Sequence, residues 1–291
     1  MDWHSEPIAA LLRAALREDH AGEDATSAAL IPPGARARAW LIARQRCRLA
    51  GLGLIGPLLR EFRALAPPLE GENWEAGLER AGAADGDELL ENQLAAELAG
   101  SARALLAVER TLLNFIQHLS GIATQTARFA AAAGGRVRIL DTRKTLPGLR
   151  ELEKYAVRMG GGCNHRPHLG GGILIKNNHL ALAGGAGEAF RRARRGYPAE
   201  AIEMEVRDEQ ELRQALAAGA RWLLLDNMTP EQVRAAAAAA GPGARLEISG
   251  GLNLENIHAY AQAGAGELSV GALTHSAPAA DFSLRLEPAS P

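Results

Sequence analysis

The chain has 291 residues, of which 47% are hydrophobic and 23% are charged, and its formal net charge at pH 7 is −2. This length and composition suit one large or two modest globular domains, and they exclude a fibrous or a disordered protein. Nucleic acids require a broad basic surface with exposed aromatic side chains, and only 4% of the residues here are aromatic. We therefore expect no nucleic-acid partner.

The first third of the chain predicts a mixed α/β domain. Runs of apolar residues at helical or strand-like spacing alternate, and Gly, Pro and Asp mark the turns between them. The predicted elements are a helix from Pro7 to about Arg17, a polar turn over 18–26, strands from Ala35 to about Ala50, a helix ending before Pro67–Pro68, a turn over 85–87 and a strand reaching Ser101.

A long helical pattern follows from Leu105 to Ala133, in one or two helices, with Thr111, Ser120 and Gly121 as small or capping positions. After it, short apolar runs repeatedly end in a polar residue and are followed by glycine or a helical pattern. Such runs fit the buried parallel strands of a βα barrel. A complete barrel has about eight strands, and only six runs are present, so we expect an open, incomplete barrel. The runs cover 137–141, 173–176, 202–206, 223–226, 246–249 and 268–271.

The distribution of basic residues predicts a pocket for anions. The chain contains 29 arginines but only three lysines, Lys144, Lys154 and Lys176, all in one segment. An ammonium group is a compact point donor, whereas a guanidinium is a fixed planar fork, so the retained lysines indicate sites that need the former. Arg143 and Arg166 lie in the same segment. Ordinary surface ion pairs are the alternative, and for Lys154 an ion pair on a helix explains the residue equally well.

The ends of the predicted barrel strands add carboxylates and glycines to this pocket. Glu205 and Asp226 end neighbouring runs, where hard oxygen ligands suit Mg²⁺, although a helix cap explains such a residue as often. Glycine lets backbone N–H groups approach phosphate oxygens, with tight turns as the alternative. The predicted phosphate-binding residues are Ser249, Gly250, Gly251, Gly271 and Ala272.

Histidine and cysteine give no metal motif. His165 and His168 form a His-x-x-His pattern, but the intervening Pro167 and the lack of a third nearby ligand disfavour zinc, so His165 is interpreted as a donor to an anion. His179 is expected to fix a loop. Cys47 and Cys163 are far apart, and a disulfide between them stays open, with reduced thiols as the default. No Rossmann motif is present, so we expect no organic cofactor.

Nothing in the sequence resembles a signal peptide or a membrane helix. The N-terminus is acidic, and no apolar run approaches the roughly 20 residues that span a bilayer. We therefore expect a cytoplasmic protein with no membrane partner.

Seven blocks in order closely resemble the quinolinate phosphoribosyltransferase family, and the resemblance extends from about Glu18 to Asp281. The blocks are Glu109–Phe115, Leu119–Thr124, Asp141–Gly148, Glu153–Val157, Asn164–Arg166, Ile175–His179 and Leu246–Gly251.

The resemblance implies an N-terminal α/β sandwich of residues 1–115, completed by 275–291, joined to an open TIM-like barrel of residues 116–274. It also implies decarboxylating transfer of phosphoribose from phosphoribosyl pyrophosphate to quinolinate, with Mg²⁺, in NAD synthesis. Members are usually dimers, and Arg110 would reach the neighbouring subunit's pocket. The implied substrate-binding residues are Arg110, Thr142, Arg143, Lys144, His165, Arg166 and Lys176 with the phosphate-binding residues above, and the implied catalytic residues are Lys144, Lys176, Glu205 and Asp226.

The chain departs from the family at two positions, and other functions stay open. Gly171 and Asn177 stand where acidic residues are common. One alternative is the related pyrophosphorylase of molybdenum-transport operons. Another is a Schiff-base aldolase that uses Lys176, and a third is a module that binds a phosphate ligand without turnover.

Overall fold

The computed structural model of the chain describes residues 1–66, 68 and 73–289. They form two compact units: residues 1–124, 158–160 and the described part of 277–291 make the first, and residues 125–157 and 161–276 make the second. The domain border predicted at 115/116 falls inside one long helix and stays a prediction. The turn predicted at Pro67–Pro68 lies partly outside the described residues, at Pro67.

The helices and strands of the described residues follow one another in this order. They are α1 Glu6–Glu18, α2 Ala25–Leu30, β1 Arg36–Ala43, β2 Cys47–Arg48, α3 Ile55–Leu65, β3 Ala76–Ala81, β4 Glu88–Leu89, β5 Leu94–Ser101, α4 Ala102–Ala132, β6 Arg138–Leu140, α5 Arg150–Met159, β7 Ile173–Ile175, α6 Asn177–Ala183, α7 Ala186–Arg194, β8 Ile202–Val206, α8 Glu209–Ala217, β9 Trp222–Asp226, α9 Pro230–Ala240, β10 Arg245–Ser249, α10 Ile257–Ala261, β11 Glu267–Ser269, α11 Ala272–His275 and β12 Phe282–Pro288.

The first unit is built on a four-stranded antiparallel sheet in the order β12-β1-β5-β3, beside a short β2-β4 pair. Helix α1 buries Ile8, Leu12 and Leu16, which lie four residues apart on one helical face. The polar turn predicted over 18–26 is partly wrong, because α2 already begins at Ala25. The Asp24 carboxylate caps this helix by accepting the Ser27 N–H at 3.0 Å.

The long helical pattern forms one continuous helix, α4, of 31 residues. Its small residues serve close packing and do not cap it. Ser120 Oγ accepts the backbone N–H of Ala50 at 3.0 Å. A Cβ on Gly121 would lie 2.2 Å from the carbonyl oxygen of Pro278, so only glycine fits there. No described helix is both long enough and apolar enough to cross a membrane.

The second unit contains a parallel six-stranded sheet in the order β6-β11-β10-β9-β8-β7. All six strands predicted for the barrel are present. Within the described residues β6 and β7 do not pair with each other, and a single bridge between Leu140 and Cys163 lies beside β6. The predicted mixed α/β fold, with an N-terminal sheet domain and an unclosed barrel, is confirmed.

Candidate active site

A cavity of about 650 Å³ lies at the carboxyl ends of the parallel strands. Strands that run in the same direction present these ends at one edge, so side chains distant in sequence meet there. The cavity is lined by every predicted site residue of the second unit: Thr142, Arg143, Lys144, His165, Arg166, Lys176, Glu205, Asp226, Ser249, Gly250, Gly251, Gly271 and Ala272.

Two arginines in this lining have buried donors without acceptors. The Nε atoms of Arg143 and Arg166 are both buried, and neither has a hydrogen-bond partner among the described residues. Burial, and next the charge of Arg143, lowers the pKa of Arg166. An anion would accept these two buried N–H groups and offset the two like charges, and a guanidinium binds carboxylate or phosphate best.

Two lysines face the same cavity and are held by backbone contacts of their loops. The carbonyl of Lys144 accepts the hydroxyl of Thr274 at 2.7 Å, and its N–H donates to Thr142 Oγ1 at 3.0 Å. The N–H of Lys176 donates to His179 Nδ1 at 2.9 Å, which confirms that His179 fixes this loop. Both lysine side chains are exposed to the cavity mouth.

The carboxylates of Glu205 and Asp226 project from adjacent parallel strands, β8 and β9. Glu205 is buried, and its Oε2 lies 3.6 Å from the ammonium of Lys176. Its Oε1 accepts the backbone N–H of Asn177 at 3.3 Å. Asp226 Oδ2 accepts the side-chain amide of Asn227 at 2.9 Å. The strand-end placement predicted for both carboxylates is therefore present, and Glu205 faces a cation directly.

Backbone geometry at Gly250 explains part of the glycine motif. Its φ is +96°, and a Cβ there would lie 2.2 Å from Asn227 Oδ1. Only glycine adopts this conformation without strain and leaves room for the amide of Asn227. The backbone therefore turns sharply away from β10 at the cavity wall.

A buried cluster that the sequence reasoning missed fixes the loop that bears His165. The carboxylate of Asp141, fully buried, receives the ammonium of Lys154, the Asn164 amide at 2.6 Å and the His165 N–H at 2.8 Å. Burial raises the pKa of Asp141, while Lys154 and the other donors oppose that rise. Lys154 is thus an internal ion-pair partner, and it also donates to the carbonyl of His165 at 2.9 Å.

His165 lies between two further glutamates that sequence reasoning also missed. Its Nε2 is 3.0 Å from Glu203 Oε2 and 3.6 Å from Glu247 Oε1, while its Nδ1 accepts the Arg166 N–H at 2.8 Å. Both ring nitrogens are therefore engaged within the protein, although His165 was predicted as a donor to an anion. Burial, and next the charge of Glu203, raises the pKa of Glu247 to about 8.

His165, Glu203 and Glu247 are also the one group of three or more His, Cys, Asp or Glu residues in the described part of the chain whose spacing could hold a metal ion. The sequence feature that could have revealed this group is the alternation of side chains between the two faces of β8 and of β10. Glu203 and Glu205, like Glu247 and Ser249, are two residues apart and therefore point to the same face of a strand.

Arg110 is the predicted site residue that does not line the cavity. It is exposed on α4, in the first unit. Gly171, one of the two departures from the family, is exposed in a short 3₁₀ turn. Cys47 and Cys163 are both free thiols. A separate cavity of about 750 Å³ in the first unit, lined by Phe62 and Trp74 among others, contains none of the predicted site residues.

Residues 122–285 match the family description "Quinolinate phosphoribosyl transferase, C-terminal domain", and residues 24–120 match "Quinolinate phosphoribosyl transferase, N-terminal domain". The chain belongs to the quinolinate phosphoribosyl transferase family. The resemblance seen in the sequence blocks is thereby confirmed.

Curated members of the quinolinate phosphoribosyl transferase family support the same assignment. A probable nicotinate-nucleotide pyrophosphorylase (carboxylating) of Bacillus subtilis is 47% identical over 203 residues, which are 69% of this chain and 70% of the relative. A second, from Methanocaldococcus jannaschii, is 38% identical over 285 residues, 94% of this chain and 95% of the relative. The aldolase alternative has no support among these relatives.

Solved structures of the family share the fold. NadC from Streptococcus pyogenes matches with a TM-score of 0.88 at 38% identity, covering 97% of each chain. The nicotinate-nucleotide pyrophosphorylase from Francisella tularensis matches with a TM-score of 0.84 at 34% identity, over 97% of this chain and 96% of the other.

Proposed function

We propose that this protein transfers phosphoribose from phosphoribosyl pyrophosphate to quinolinate and releases pyrophosphate and CO₂, which gives nicotinate mononucleotide for NAD synthesis. Family membership and the curated relatives named for the carboxylating pyrophosphorylase support this activity. The observation that carries it is the pair of buried, unsatisfied guanidinium donors of Arg143 and Arg166 in a cavity that two lysines also face.

Anion recognition follows from that pair. Quinolinate is a dianion and the phosphoribosyl donor carries several phosphates, so both substrates compensate the positive charge of the cavity. Each guanidinium can satisfy its free N–H with a carboxylate or phosphate oxygen. In this proposal Arg143 and Arg166 hold the two acidic substrates, and the glycine turn of Gly250 and Gly251 lets backbone N–H groups contact phosphate.

Transfer then requires charge stabilisation and no covalent nucleophile. Breaking the bond at the anomeric carbon develops positive charge on the ribose, while negative charge accumulates on the leaving pyrophosphate. In this proposal Lys144 and Lys176, which line the cavity, stabilise the leaving group.

Glu205 and Asp226 fit a magnesium ion by the chemistry of their donors. Both present carboxylate oxygens from the ends of adjacent strands to the same cavity, and Mg²⁺ prefers such ligands together with phosphate oxygens. When bound, the ion would neutralise charge on the pyrophosphate. The side chain of Asn227 orients Asp226 by its hydrogen bond.

An assay of pyrophosphate release tests the proposal. Release should depend on quinolinate and should not occur with nicotinate, because only the dicarboxylate can use both arginines. Arg143→Ala and Arg166→Ala should each abolish release, whereas Arg195→Ala, an exposed arginine outside the cavity, should leave it unchanged. Equal release with either pyridine would contradict the assignment. Binding of the donor without any release would indicate a phosphate-binding module.

We also propose a homodimer in which Arg110 completes the neighbouring subunit's site. This proposal rests on the family resemblance and on the exposed position of Arg110, which does not line the cavity of its own chain. Mixing inactive Arg110→Ala and Lys176→Ala proteins should then restore part of the activity, because one site in each hybrid dimer carries neither substitution. No recovery after demonstrated subunit exchange would argue against a shared site. A cytoplasmic location stays a prediction.

A further inference from the structure

The two arginines that hold the substrates in the proposed function lie on separate loops. Arg143 belongs to a first loop, residues 141–149 between β6 and α5, and Arg166 belongs to a second loop, residues 161–172 before β7. No strand of the described parallel sheet lies in either loop. Other hydrogen bonds therefore hold the two guanidinium groups at their separation.

Helix α5, which connects these two loops, bonds to both of them. The carboxylate of Glu153, fully buried, accepts the backbone N–H of Leu146 in the first loop at 3.3 Å. The ammonium of Lys154 is paired with the carboxylate of Asp141, where the first loop begins, and donates to the carbonyl of His165 in the second loop at 2.9 Å. The helix is thus a common support for both loops.

Arg150, at the start of α5, bridges the two loops with a single side chain. Its Nε donates to Thr145 Oγ1 in the first loop at 2.9 Å, and its Nη1 donates to the carbonyl of Pro167 in the second loop at 3.3 Å. Thr145 is two residues after Arg143, and Pro167 directly follows Arg166. Because a guanidinium is a rigid plane with donors at fixed angles, these two bonds tie the positions of the loops to each other.

Arg150 supports the site from outside it. It lies three and four residues before Glu153 and Lys154, on the helix face from which all three side chains reach the loops. It is half-buried and is not among the described residues that line the cavity. It therefore affects a bound ligand only through the loops that it holds.

A fixed separation between the two arginines matters for a ligand that is itself rigid. The aromatic ring of quinolinate holds its two adjacent carboxylates at a set distance from each other. Guanidinium groups that are already held at a matching distance bind both carboxylates with one loss of conformational freedom, whereas two independent loops would each lose their own.

We propose that Arg150 is a positioning residue that holds the first loop at a fixed distance from the second, so that Arg143 and Arg166 bind the two carboxylates of one ligand together. The inference rests on the proposed function, in which these two arginines hold the substrates. Arg150 takes no part in bond breaking, and its contribution is to the binding of a rigid dicarboxylate.

Calorimetric titration with phthalate and with benzoate measures this contribution. Phthalate carries two adjacent carboxylates on a ring without nitrogen and cannot be ribosylated, and benzoate carries one carboxylate. Arg150→Gln should weaken phthalate binding about 10-fold and benzoate binding less than about twofold, because glutamine is too short to reach both loops. In turnover the KM for quinolinate should rise by a similar factor, while kcat changes little.

Arg213→Gln is the matched control. Arg213 is exposed on α8 and pairs with Glu209 of the same helix, so its substitution should leave both affinities unchanged. Thr145→Val removes the bond of Arg150 to the first loop but keeps the arginine, and it tests the proposal even if Arg150→Gln does not fold. It should lower the ratio of phthalate to benzoate affinity in the same way. The double variant should show no further loss.

Three results would overturn the proposal. In the first, Arg150→Gln leaves the ratio of phthalate to benzoate affinity unchanged, whether both affinities fall or neither does. In the second, the unmodified protein binds phthalate no more tightly than benzoate, so that the two arginines do not share a ligand. Both of these leave pyrophosphate release with quinolinate, and hence the proposed function, standing. In the third, the unmodified protein releases no pyrophosphate with quinolinate, which removes the proposed function together with this inference.

Discussion

Replacing Lys154 with methionine tests the buried ion pair beneath the site. The Lys154 side chain is 6% exposed and that of Asp141 is 0% exposed, so the substitution leaves a carboxylate without its cation in the interior. Removing one partner of a buried pair typically costs about 3–5 kcal/mol. Asp141 keeps the donors Asn164 and His165, which places the expected loss of unfolding free energy near the lower end, at about 3 kcal/mol.

The pH dependence of this loss has a definite sign. Burial raises the pKa of Asp141 and Lys154 opposes the rise, so the variant should raise that pKa further. A carboxyl whose pKa is higher in the folded state stabilises the protein below its unfolded pKa, and this contribution is lost as pH rises through the folded value. The deficit of Lys154→Met should therefore be largest at neutral pH and should shrink toward pH 4.

Urea denaturation monitored over this pH range measures the effect. Lys144→Met is the matched control, because the same substitution at an exposed lysine should change the unfolding free energy by less than about 0.5 kcal/mol. The double variant with Asp141→Asn should be less destabilised than the sum of the two single variants. A deficit below about 1 kcal/mol at pH 7, or one that grows as the pH falls, would refute the reasoning.

Three further outcomes are expected. Gly121→Val should lower the unfolding free energy by about 1–3 kcal/mol, because the new side chain meets the rigid carbonyl of Pro278. Gly56→Val is the control and should cause no such loss, because no atom lies within 4 Å of the new Cβ. Urea denaturation measures both variants, and equal effects would contradict the packing argument. Gly250→Ala should weaken pyrophosphate binding, measured by calorimetry, because it forces Asn227 away from its position; unchanged affinity would contradict this. Burial raises the pKa of Cys47 to about 11, so this thiol should resist disulfide reagents at pH 8 until the protein is unfolded; rapid labelling of the native protein would contradict its burial.

The strands of the second unit could be predicted because burial on both faces gives short continuous apolar runs. The strand β3 was missed for the opposite reason, since most of its residues are exposed and give no apolar signal. The helix α2 is six residues long and begins within a polar stretch, where its Asp24 cap looks like part of a turn. Periodicity therefore identifies the elements that bury a face and misses those at the margin.

The cavity-lining cations could be predicted because the three lysines and the two arginines fall in one segment, and because Arg143 and Lys176 lie at strand ends that a parallel sheet places together. The partnership of Asp141 with Lys154 could not, since the two residues are 13 positions apart and meet only after α5 has packed. Glu203 and Glu247 were hidden for a different reason. In the sequence, a glutamate inside an apolar strand looks like an isolated interruption of the apolar pattern. Its partners are recognised only when the folded sheet brings glutamates of different strands to the same histidine.

In the described part of the chain β6 and β7 end the parallel sheet without pairing with each other, and this has a consequence for how the site responds to its ligands. Where a closed barrel would carry a strand, this protein has the irregular stretch that bears His165 and Arg166, anchored largely through Asp141. Backbone amides outside a hydrogen-bonded ladder exchange with solvent through small local openings. When an anion binds the guanidinium groups of Arg143 and Arg166, deuterium uptake should slow around residues 164–172 more than in the six strands. Ligand binding should therefore stabilise this stretch, while exchange in the strands changes little.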